Sequence, residues 1–177
     1  MTGADGEWPR GRSRHGGVDE IPLPATVPGR LWLAGRRYVG PDPAAALDSV
    51  GASMVVCLCE PFELDERYPG YVEWLRAARG SPPAARWWPV PDLHAPPVDA
   101  AVGLLDELAA RLGEGLGVLV HCGAGLGRAG TVAAALLMRF GLPLERARAV
   151  VSAARPGAGP EVGAQEELLR ALADLWG

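Results

Sequence analysis

Lysine is missing from this sequence, and all 17 of its basic residues are arginine. No fold requires that absence, and glycine and proline are abundant, with 24 and 17 residues. We interpret this composition as the mark of a GC-rich, bacterial genome. The formal net charge is −4, which gives no general attraction to nucleic acid or to anionic lipid. We therefore expect neither a nucleic-acid partner nor a membrane surface.

Long apolar runs are missing as well. No segment approaches the roughly 18 consecutive apolar residues of a transmembrane helix, and the beginning of the sequence lacks the apolar stretch of a secretory signal. These absences predict a cytoplasmic protein. The three cysteines are too few for a disulfide framework.

The length of 177 residues and the hydrophobic content of 49% suit one domain with a sizeable core. We place this domain at residues 21–177. Residues 1–20 combine glycines with charges and show no periodicity, which predicts a flexible tail.

Short apolar runs near residues 31, 54, 86 and 117 predict strands, and helical patterns separate them. This alternation indicates an α/β fold with a central, mainly parallel sheet flanked by helices. A functional site is then expected at the carboxyl ends of the strands. The predicted helices cover residues 43–50, 71–79, 98–112, 129–140, 143–154 and 161–176.

The segment LGVLVHCGAGLGRAGT, residues 116–131, has the pattern of a strand, a glycine-rich loop and a helix. Glycines allow consecutive backbone N–H groups to converge, and the helix directs its positive end at the same point. A phosphate-sized anion fits such a loop. A nucleotide-binding loop of the Walker type does not fit, because no Lys-Ser or Lys-Thr pair closes the segment. The predicted phosphate-binding residues are Cys122, Gly123, Ala124, Gly125, Leu126, Gly127 and Arg128.

Cys122 lies at the base of this loop, next to the amide donors and to Arg128. A helix N-terminus and a cationic neighbour stabilise a thiolate. We therefore expect a lowered pKa for Cys122 and a nucleophilic role.

The octapeptide HCGAGLGR resembles the HCxxGxxR signature of the cysteine-dependent protein tyrosine phosphatases and small dual-specificity phosphatases. The resemblance implies the cysteine-phosphatase fold and a cysteinyl-phosphate intermediate, with Cys122 as nucleophile, Arg128 as phosphate ligand and no metal or other cofactor. His121 is then expected to orient the loop through hydrogen bonds to its backbone. This sequence departs from the family at Ala129, where a serine or threonine usually helps the thiolate leave.

Asp92 is the candidate general acid, because it follows a predicted strand and lies about thirty residues before Cys122. The segment WWPVPDLHAPP also resembles the aspartate loop of the small dual-specificity phosphatases. A turn residue after proline is the alternative interpretation of Asp92. Asp99 is the rival acid, but helix capping explains it. His94 is interpreted as a surface histidine.

The segment ARPGAGPEVGAQEELL resembles the C-terminal element of the same family. In that resemblance Gln165 helps to position the hydrolytic water, and Arg155 supports the phosphate loop. A plain helix glutamine is the alternative.

Cys57 and Cys59 lie two residues apart in a predicted buried strand, and ordinary core packing explains both. Because some phosphatases of this kind form a reversible disulfide with their nucleophile, a link between Cys59 and Cys122 under oxidation is a second hypothesis. The acidic residues Glu63, Asp65 and Glu66 are interpreted as a solvated loop without a metal.

The resemblance implies a phosphatase for phosphotyrosine, with phosphoserine and phosphothreonine as further substrates. The expected partner is a phosphoprotein or another phosphomonoester. Two alternatives stay open. The first is a catalytically weak phosphate-binding module, which Ala129 suggests. The second is the cysteine chemistry of rhodaneses or arsenate reductases.

Overall fold

A computed structural model describes residues 16–177. In chain order the elements are β1 (Val18–Ile21), β2 (Arg30–Gly35), α1 (Arg36–Val39), α2 (Pro43–Val50), β3 (Met54–Cys57), a 3₁₀ turn (Pro61–Glu63), α3 (Pro69–Ala77), β4 (Ala84–Trp87), α4 (Val98–Gly113), β5 (Gly117–Cys122), α5 (Gly127–Arg139), α6 (Leu144–Ala154) and α7 (Gly163–Trp176).

The five strands form one sheet in the order β1-β2-β5-β3-β4. Strand β1 is antiparallel to β2, and the other neighbours are parallel. The predicted α/β class with a mainly parallel sheet is therefore confirmed. Because β5 is central, its last residue, Cys122, lies at the carboxyl edge of the sheet between the ends of β2 and β3.

Successive residues of the inner strands face opposite sides of the sheet, as the two-residue period of a strand requires. On one side, Val118 and Val120 of β5 pack with α4, α5, α6 and α7. On the other side, Leu119 packs against the side chains of α2 and α3. Because both faces are covered, the strands are apolar almost throughout.

Local sequence signals explain most element boundaries. The side chain of Asp42 accepts a hydrogen bond from the Ala45 amide at 3.0 Å and so caps α2, as its place before Pro43 predicts. Strand β4 ends at Trp87 rather than at Val90, because Pro89 has no amide hydrogen for the ladder. Asp99 lies in the first turn of α4 but makes no capping hydrogen bond.

The predicted tail over residues 1–20 needs one correction. Residues 1–15 lie outside the described residues, but Val18, Asp19 and Glu20 belong to β1 and pair with β2. The charge of Asp19 argued against a strand in the sequence analysis. In the structure, its carboxylate has a buried partner, which the local sequence cannot show. Its oxygen accepts a hydrogen bond from Arg155 at 2.8 Å.

Within residues 16–177, no helix is long and apolar enough to cross a membrane.

Helix α5 is held close to the segment before α7 by Gly130. A Cβ at this position would overlap the backbone nitrogen of Gly159, whereas a Cβ at Gly103 in α4 would meet nothing within 4 Å. Close packing therefore excludes a side chain at Gly130, whereas Gly103 has room for one. Substitution of each by alanine tests this difference.

We expect Gly130→Ala to lower the free energy of unfolding by about 1–3 kcal/mol, because rigid backbone must move. The matched change Gly103→Ala should raise it by about 0.5–1 kcal/mol through helix propensity. Urea denaturation measures both. Equal effects of the two substitutions would contradict this close packing.

Candidate active site

The predicted phosphate loop connects β5 to α5 and begins beside the end of β2, where Gly35 is in register with Cys122. Gly125 has a φ of 77°, and a side chain there would collide with the backbone carbonyl of Ala34. The loop can therefore fold tightly against β2 only with glycine at residue 125. The Arg36 amide also donates a hydrogen bond to the Gly123 carbonyl at 3.0 Å.

Cys122 lies at the bottom of this loop and is 3% exposed. Burial raises the pKa of its thiol, while the amides of Ala129 and Gly125 and the charge of Arg128 act in the opposite direction. The pKa of Cys122 is therefore raised and not lowered as expected. The prediction considered the amide donors and Arg128, but not the free energy needed to remove the thiolate from water. The same donors stabilise the thiolate when it forms.

Arg128 is 4% exposed, and both terminal nitrogens of its guanidinium donate hydrogen bonds. Nη1 and Nη2 donate to the two carboxylate oxygens of Glu63, each at 2.8 Å. Nη1 also donates to the backbone carbonyl of Val90 at 2.8 Å. Glu63 and Val90 lie in the segments that follow β3 and β4, on one side of β5, and together they fix the position of the charge.

The remaining edge of Arg128 is open. Nε has no hydrogen-bond partner among the described residues, and Nη2 uses one of its two hydrogens on Glu63. Since Nε and Nη2 carry N–H groups that point in parallel, this edge is a bidentate donor without an acceptor. The arrangement suits two oxygens of a phosphate group above Cys122.

Glu63 is a site residue that sequence reasoning missed. It was interpreted as part of a solvated acidic loop, but its side chain is only 8% exposed. Its carboxylate also accepts the Glu60 amide at 2.7 Å, and Arg36 donates to its carbonyl at 3.1 Å. Although burial acts in the opposite direction, the hydrogen bonds from Arg128 lower the pKa of Glu63. Pro61, which begins the 3₁₀ turn, was the local sequence signal that this segment is ordered.

Asp92 approaches the open edge of Arg128. Its Oδ1 lies 3.5 Å from Nε, and its side chain is 69% exposed. The predicted placement beside the cysteine loop is therefore observed. The same oxygen accepts the Leu93 amide at 3.0 Å, and Leu93 has a φ of 62°, which is unusual for a leucine. The loop that carries Asp92, here called the acid loop (residues 91–94), is therefore tightly turned at Leu93.

Gln165 is buried and ties the acid loop to the C-terminal helix. Its Nε2 donates to the carbonyl of His94 at 3.3 Å, and its Oε1 accepts the Glu161 amide at 2.8 Å. His94 is exposed, as predicted, and its ring donates to the Asp92 carbonyl at 2.8 Å. The side chain of Gln165 therefore contacts the backbone of the loop that carries the candidate acid.

Arg155 supports the phosphate loop from behind and is fully buried. It donates to the carbonyls of Gly125 and Ala124, both at 2.9 Å, and to Asp19. These hydrogen bonds hold the backbone of the loop in place. The predicted position of Arg155 near the loop is observed.

His121 is buried between the loop and α3. Its Nδ1 lies 3.2 Å from the Cys122 carbonyl, and its Nε2 lies 2.6 Å from the hydroxyl of Tyr71. Because a carbonyl only accepts, Nδ1 carries the hydrogen and Nε2 accepts from Tyr71. The expected contact of His121 with the loop backbone is present.

Ala129 is buried at the first turn of α5 and offers only its backbone amide to Cys122. The hydroxyl of Thr131 donates to the Gly127 carbonyl at 2.7 Å, within the helix. Thr131 therefore does not replace the hydroxyl that residue 129 lacks.

Cys57 and Cys59 lie in the core on the side of α3, so the core-packing interpretation of both is confirmed. All three cysteines are free thiols. A hydrogen bond with Cys57, together with burial, raises the pKa of Cys59.

Residues 25–173 match the family model described as the DSP-PTPase phosphatase domain of Swiss Army Knife proteins, PTP-SAK. The chain belongs to this phosphatase family. The geometry agrees with that membership, because the signature cysteine and arginine lie together at the end of the central strand. Rhodanese-like or arsenate-reducing chemistry therefore has no support.

Solved structures of phosphatases share this fold. Tk-PTP in its active form is 31% identical, with 88% of this chain and 97% of that chain covered and a TM-score of 0.66. The kinase associated phosphatase KAP, solved with a serine for its catalytic-site cysteine, is 22% identical, with 90% and 95% covered and a TM-score of 0.75. PTPMT1 in complex with PI(5)P is 20% identical, with 85% and 94% covered and a TM-score of 0.64. No curated protein matches the chain.

We expect Glu63→Gln to weaken both stability and activity, because it removes the counter-charge hydrogen-bonded to the buried Arg128 and leaves only the exposed carboxylate of Asp92 at 3.5 Å. The free energy of unfolding should fall by about 1–3 kcal/mol at neutral pH. The pKa of Glu63 is lowered in the folded protein. The extra unfolding free energy of the wild type over Glu63→Gln is therefore fully present above the ordinary glutamate pKa of about 4.3. It should be lost as the pH falls through the lowered native pKa.

Urea denaturation at a series of pH values measures this difference. Glu66→Gln, an exposed residue of the same acidic run, is the matched control and should change stability little. A Glu63→Gln deficit that is small, or that does not shrink in acid, would contradict the ion pair.

Proposed function

We propose that this chain is a protein phosphatase that hydrolyses phosphotyrosine, and also phosphoserine and phosphothreonine, through a cysteinyl-phosphate intermediate. The open edge of Arg128, whose Nη2 lies against Gly123 beside Cys122, is the observation that carries the proposal. Membership in the phosphatase family supports the reaction class. The acceptor residue in the substrate and the roles of the individual side chains are our inference.

The thiol of Cys122 first loses its proton to water. In the first step, Sγ of the resulting thiolate attacks phosphorus while the bond to the leaving oxygen breaks. Asp92, protonated at this point, delivers its proton to that oxygen. The amides of residues 123–128 and the open edge of Arg128 hold the three equatorial oxygens, where charge is concentrated. We infer an in-line attack, with Sγ of Cys122 opposite the leaving oxygen.

In the second step, water attacks the phosphorus of the cysteinyl phosphate and Asp92 accepts its proton. The P–S bond breaks, and Cys122 leaves as a thiolate. No hydroxyl of residue 129 assists that departure, so we infer that this step is slow relative to the first. Gln165 contributes by holding the acid loop, and a role in positioning the water remains a prediction.

The loop composition favours a substrate with a single phosphate. Its variable residues Gly123, Ala124 and Leu126 add no cation inside the loop. Phosphatases for phosphorylated lipids often carry lysines at such positions, and this chain has none. We therefore favour a phosphoprotein as partner, with no metal or other cofactor required for the two steps.

Ala129 supports one other function, a phosphate-binding module with negligible turnover. Attack by Cys122 would proceed in such a module, but the intermediate would persist. Retained binding of tungstate without release of phosphate from any substrate would favour that function over ours.

Hydrolysis of p-nitrophenyl phosphate and of a phosphotyrosine peptide tests the assigned roles. Cys122→Ser should abolish both activities. Asp92→Asn should lower kcat/KM, which reports the first step, by roughly 10²- to 10⁴-fold on the peptide. The loss should be smaller on p-nitrophenyl phosphate, because p-nitrophenolate leaves without a proton.

Asp99→Asn is the control for the acid, and it should keep its activity within about twofold. A large loss in Asp99→Asn together with an active Asp92→Asn would show that the acid is wrongly assigned. Full activity of Cys122→Ser would reject the covalent mechanism.

Peroxide treatment tests the disulfide between Cys59 and Cys122. Oxidation of Cys122 to a sulfenic acid, followed by attack of Cys59, releases water and forms the bond. Because the pKa of Cys59 is raised, we expect slow formation that speeds up as the pH rises. Mass spectrometry of the linked peptides measures it.

Cys57→Ser should still form this link, and Cys59→Ser should not. A link that persists in Cys59→Ser, or that joins Cys57 to Cys122 in the wild type, would contradict the hypothesis.

A further inference from the structure

Four side chains that carry sulfur, nitrogen or oxygen meet inside the hydrophobic layer between the sheet and α3. All four are buried, with exposed fractions of 1% or less, and they are Cys57, Cys59, His121 and Tyr71. The proposed phosphatase steps use none of them as nucleophile, acid or phosphate ligand. Thiols are weak hydrogen-bond donors and acceptors, so on their own they are poor partners for a buried imidazole and a buried phenol.

The sheet brings three of these side chains to one face. Cys57 of β3 is in register with His121 of β5, and residues paired across neighbouring strands share a face. The Leu58 amide donates to the His121 carbonyl at 3.0 Å, so the ladder continues beyond the end of β3. Cys59 follows Cys57 by two residues and therefore returns to the same face. Both cysteines pack in one cluster with Tyr71.

The spacing of the three ligand atoms is close to that of a zinc site. The sulfur atoms of Cys57 and Cys59 and one ring nitrogen of His121 all lie within 4.8 Å of one another. Zinc forms bonds of about 2.3 Å to sulfur and about 2.0 Å to nitrogen, which sets tetrahedral ligand atoms roughly 3.5–3.8 Å apart. The three atoms therefore need to close by only about 1 Å. Small rotations of buried side chains supply such a shift.

The ring of His121 already presents a suitable nitrogen. Nδ1 donates to the Cys122 carbonyl at 3.2 Å, so Nε2 is the nitrogen without a hydrogen. A hydrogen bond from the other ring nitrogen to a carbonyl is the arrangement that orients a metal-bound histidine. Nε2 lies 2.6 Å from the Tyr71 hydroxyl. Cys59 is hydrogen-bonded to both His121 and Cys57, so the sulfur atoms lie around the same point.

We propose that Cys57, Cys59 and His121 bind one divalent cation of the zinc type. The Tyr71 oxygen is the neighbour available for the fourth position. Two sulfur ligands select such an ion over magnesium or calcium, which prefer oxygen. Binding transfers one proton from each thiol to water, and the two thiolates then balance the charge of the ion. The complex is neutral, so the core holds no uncompensated charge.

The bound ion has a structural and a redox consequence. It fixes the ring whose Nδ1 supports the Cys122 carbonyl, but it lies on the α3 side of β5 and takes no part in the phosphatase steps. The ion and a disulfide between Cys59 and Cys122 compete for the same sulfur, so a metal-loaded chain resists that disulfide.

Cobalt substitution in the full chain tests the site. The chain is produced in minimal medium in which Co²⁺ replaces zinc, so that the ion can enter while the core forms, and unbound metal is removed by gel filtration. We expect about one cobalt ion per chain. The spectrum should show thiolate-to-cobalt absorption in the near ultraviolet and the strong visible bands of a tetrahedral ion. Competition with a chelating dye measures the affinity.

Cys57→Ser and Cys59→Ser should each lower the affinity roughly 100-fold or more, because loss of even an outer-shell partner can cost that much. Cys122→Ser is the matched control, since it removes the remaining cysteine of the chain and should leave metal content and spectrum unchanged. Circular dichroism checks that each variant is folded. A wild type without cobalt would overturn the proposal. So would a spectrum that disappears in Cys122→Ser and persists in the other two variants.

X-ray absorption by the zinc-loaded wild type needs no variant. We expect two sulfur ligands at about 2.3 Å and nitrogen or oxygen ligands at about 2.0 Å. One sulfur or none would reject the site, even if the cysteine variants fail to fold. Neither measurement depends on turnover. A chain that binds metal but releases no phosphate would contradict only the phosphatase proposal, and an active chain without metal would contradict only this one.

Discussion

The ion pair between Arg128 and Glu63 is the interaction on which the candidate site depends. A buried guanidinium needs a counter-charge, and Glu63 supplies it end-on, with two hydrogen bonds of 2.8 Å. This geometry satisfies the charge while leaving the Nε edge without a hydrogen-bond partner among the described residues. On that edge the carboxylate of Asp92 lies 3.5 Å from Nε, as an ion pair without a hydrogen bond. The pair therefore stabilises the fold and preserves a binding position at the same time.

The backbone around this pair is set by the sheet. Parallel strands bring Gly35 and Cys122 to one edge, and Gly125 lets the loop fold against β2. Arg155 then holds the loop carbonyls from behind, so the amides are free to face an anion. Cys122 is buried within this frame, and its thiolate depends on the loop amides and Arg128 to offset the loss of solvent.

Contiguous features of the site could be predicted from sequence, and contacts between distant segments could not. The order of strand, loop and helix around Cys122 follows from the apolar run and the glycines of residues 116–131. Glu63, 65 residues before Arg128, looks like any acidic loop residue until the fold brings the two together. The strand at Val18–Ile21 was missed for the same reason, because the partner of Asp19 is 136 residues away. The pKa of Cys122 depends on burial, which a motif does not report.

In the proposed mechanism, Cys122 takes the phosphoryl group from the substrate before water does. Rapid acid quenching during turnover of an aryl phosphate, followed by mass spectrometry of the peptide that contains Cys122, detects this intermediate. We predict a phosphorylated Cys122 that accumulates in the wild type and is less abundant in Ala129→Ser, where a hydroxyl can assist the thiolate in leaving. Release of phosphate by a protein whose Cys122 never carries a phosphoryl group, at any quench time, would contradict the account.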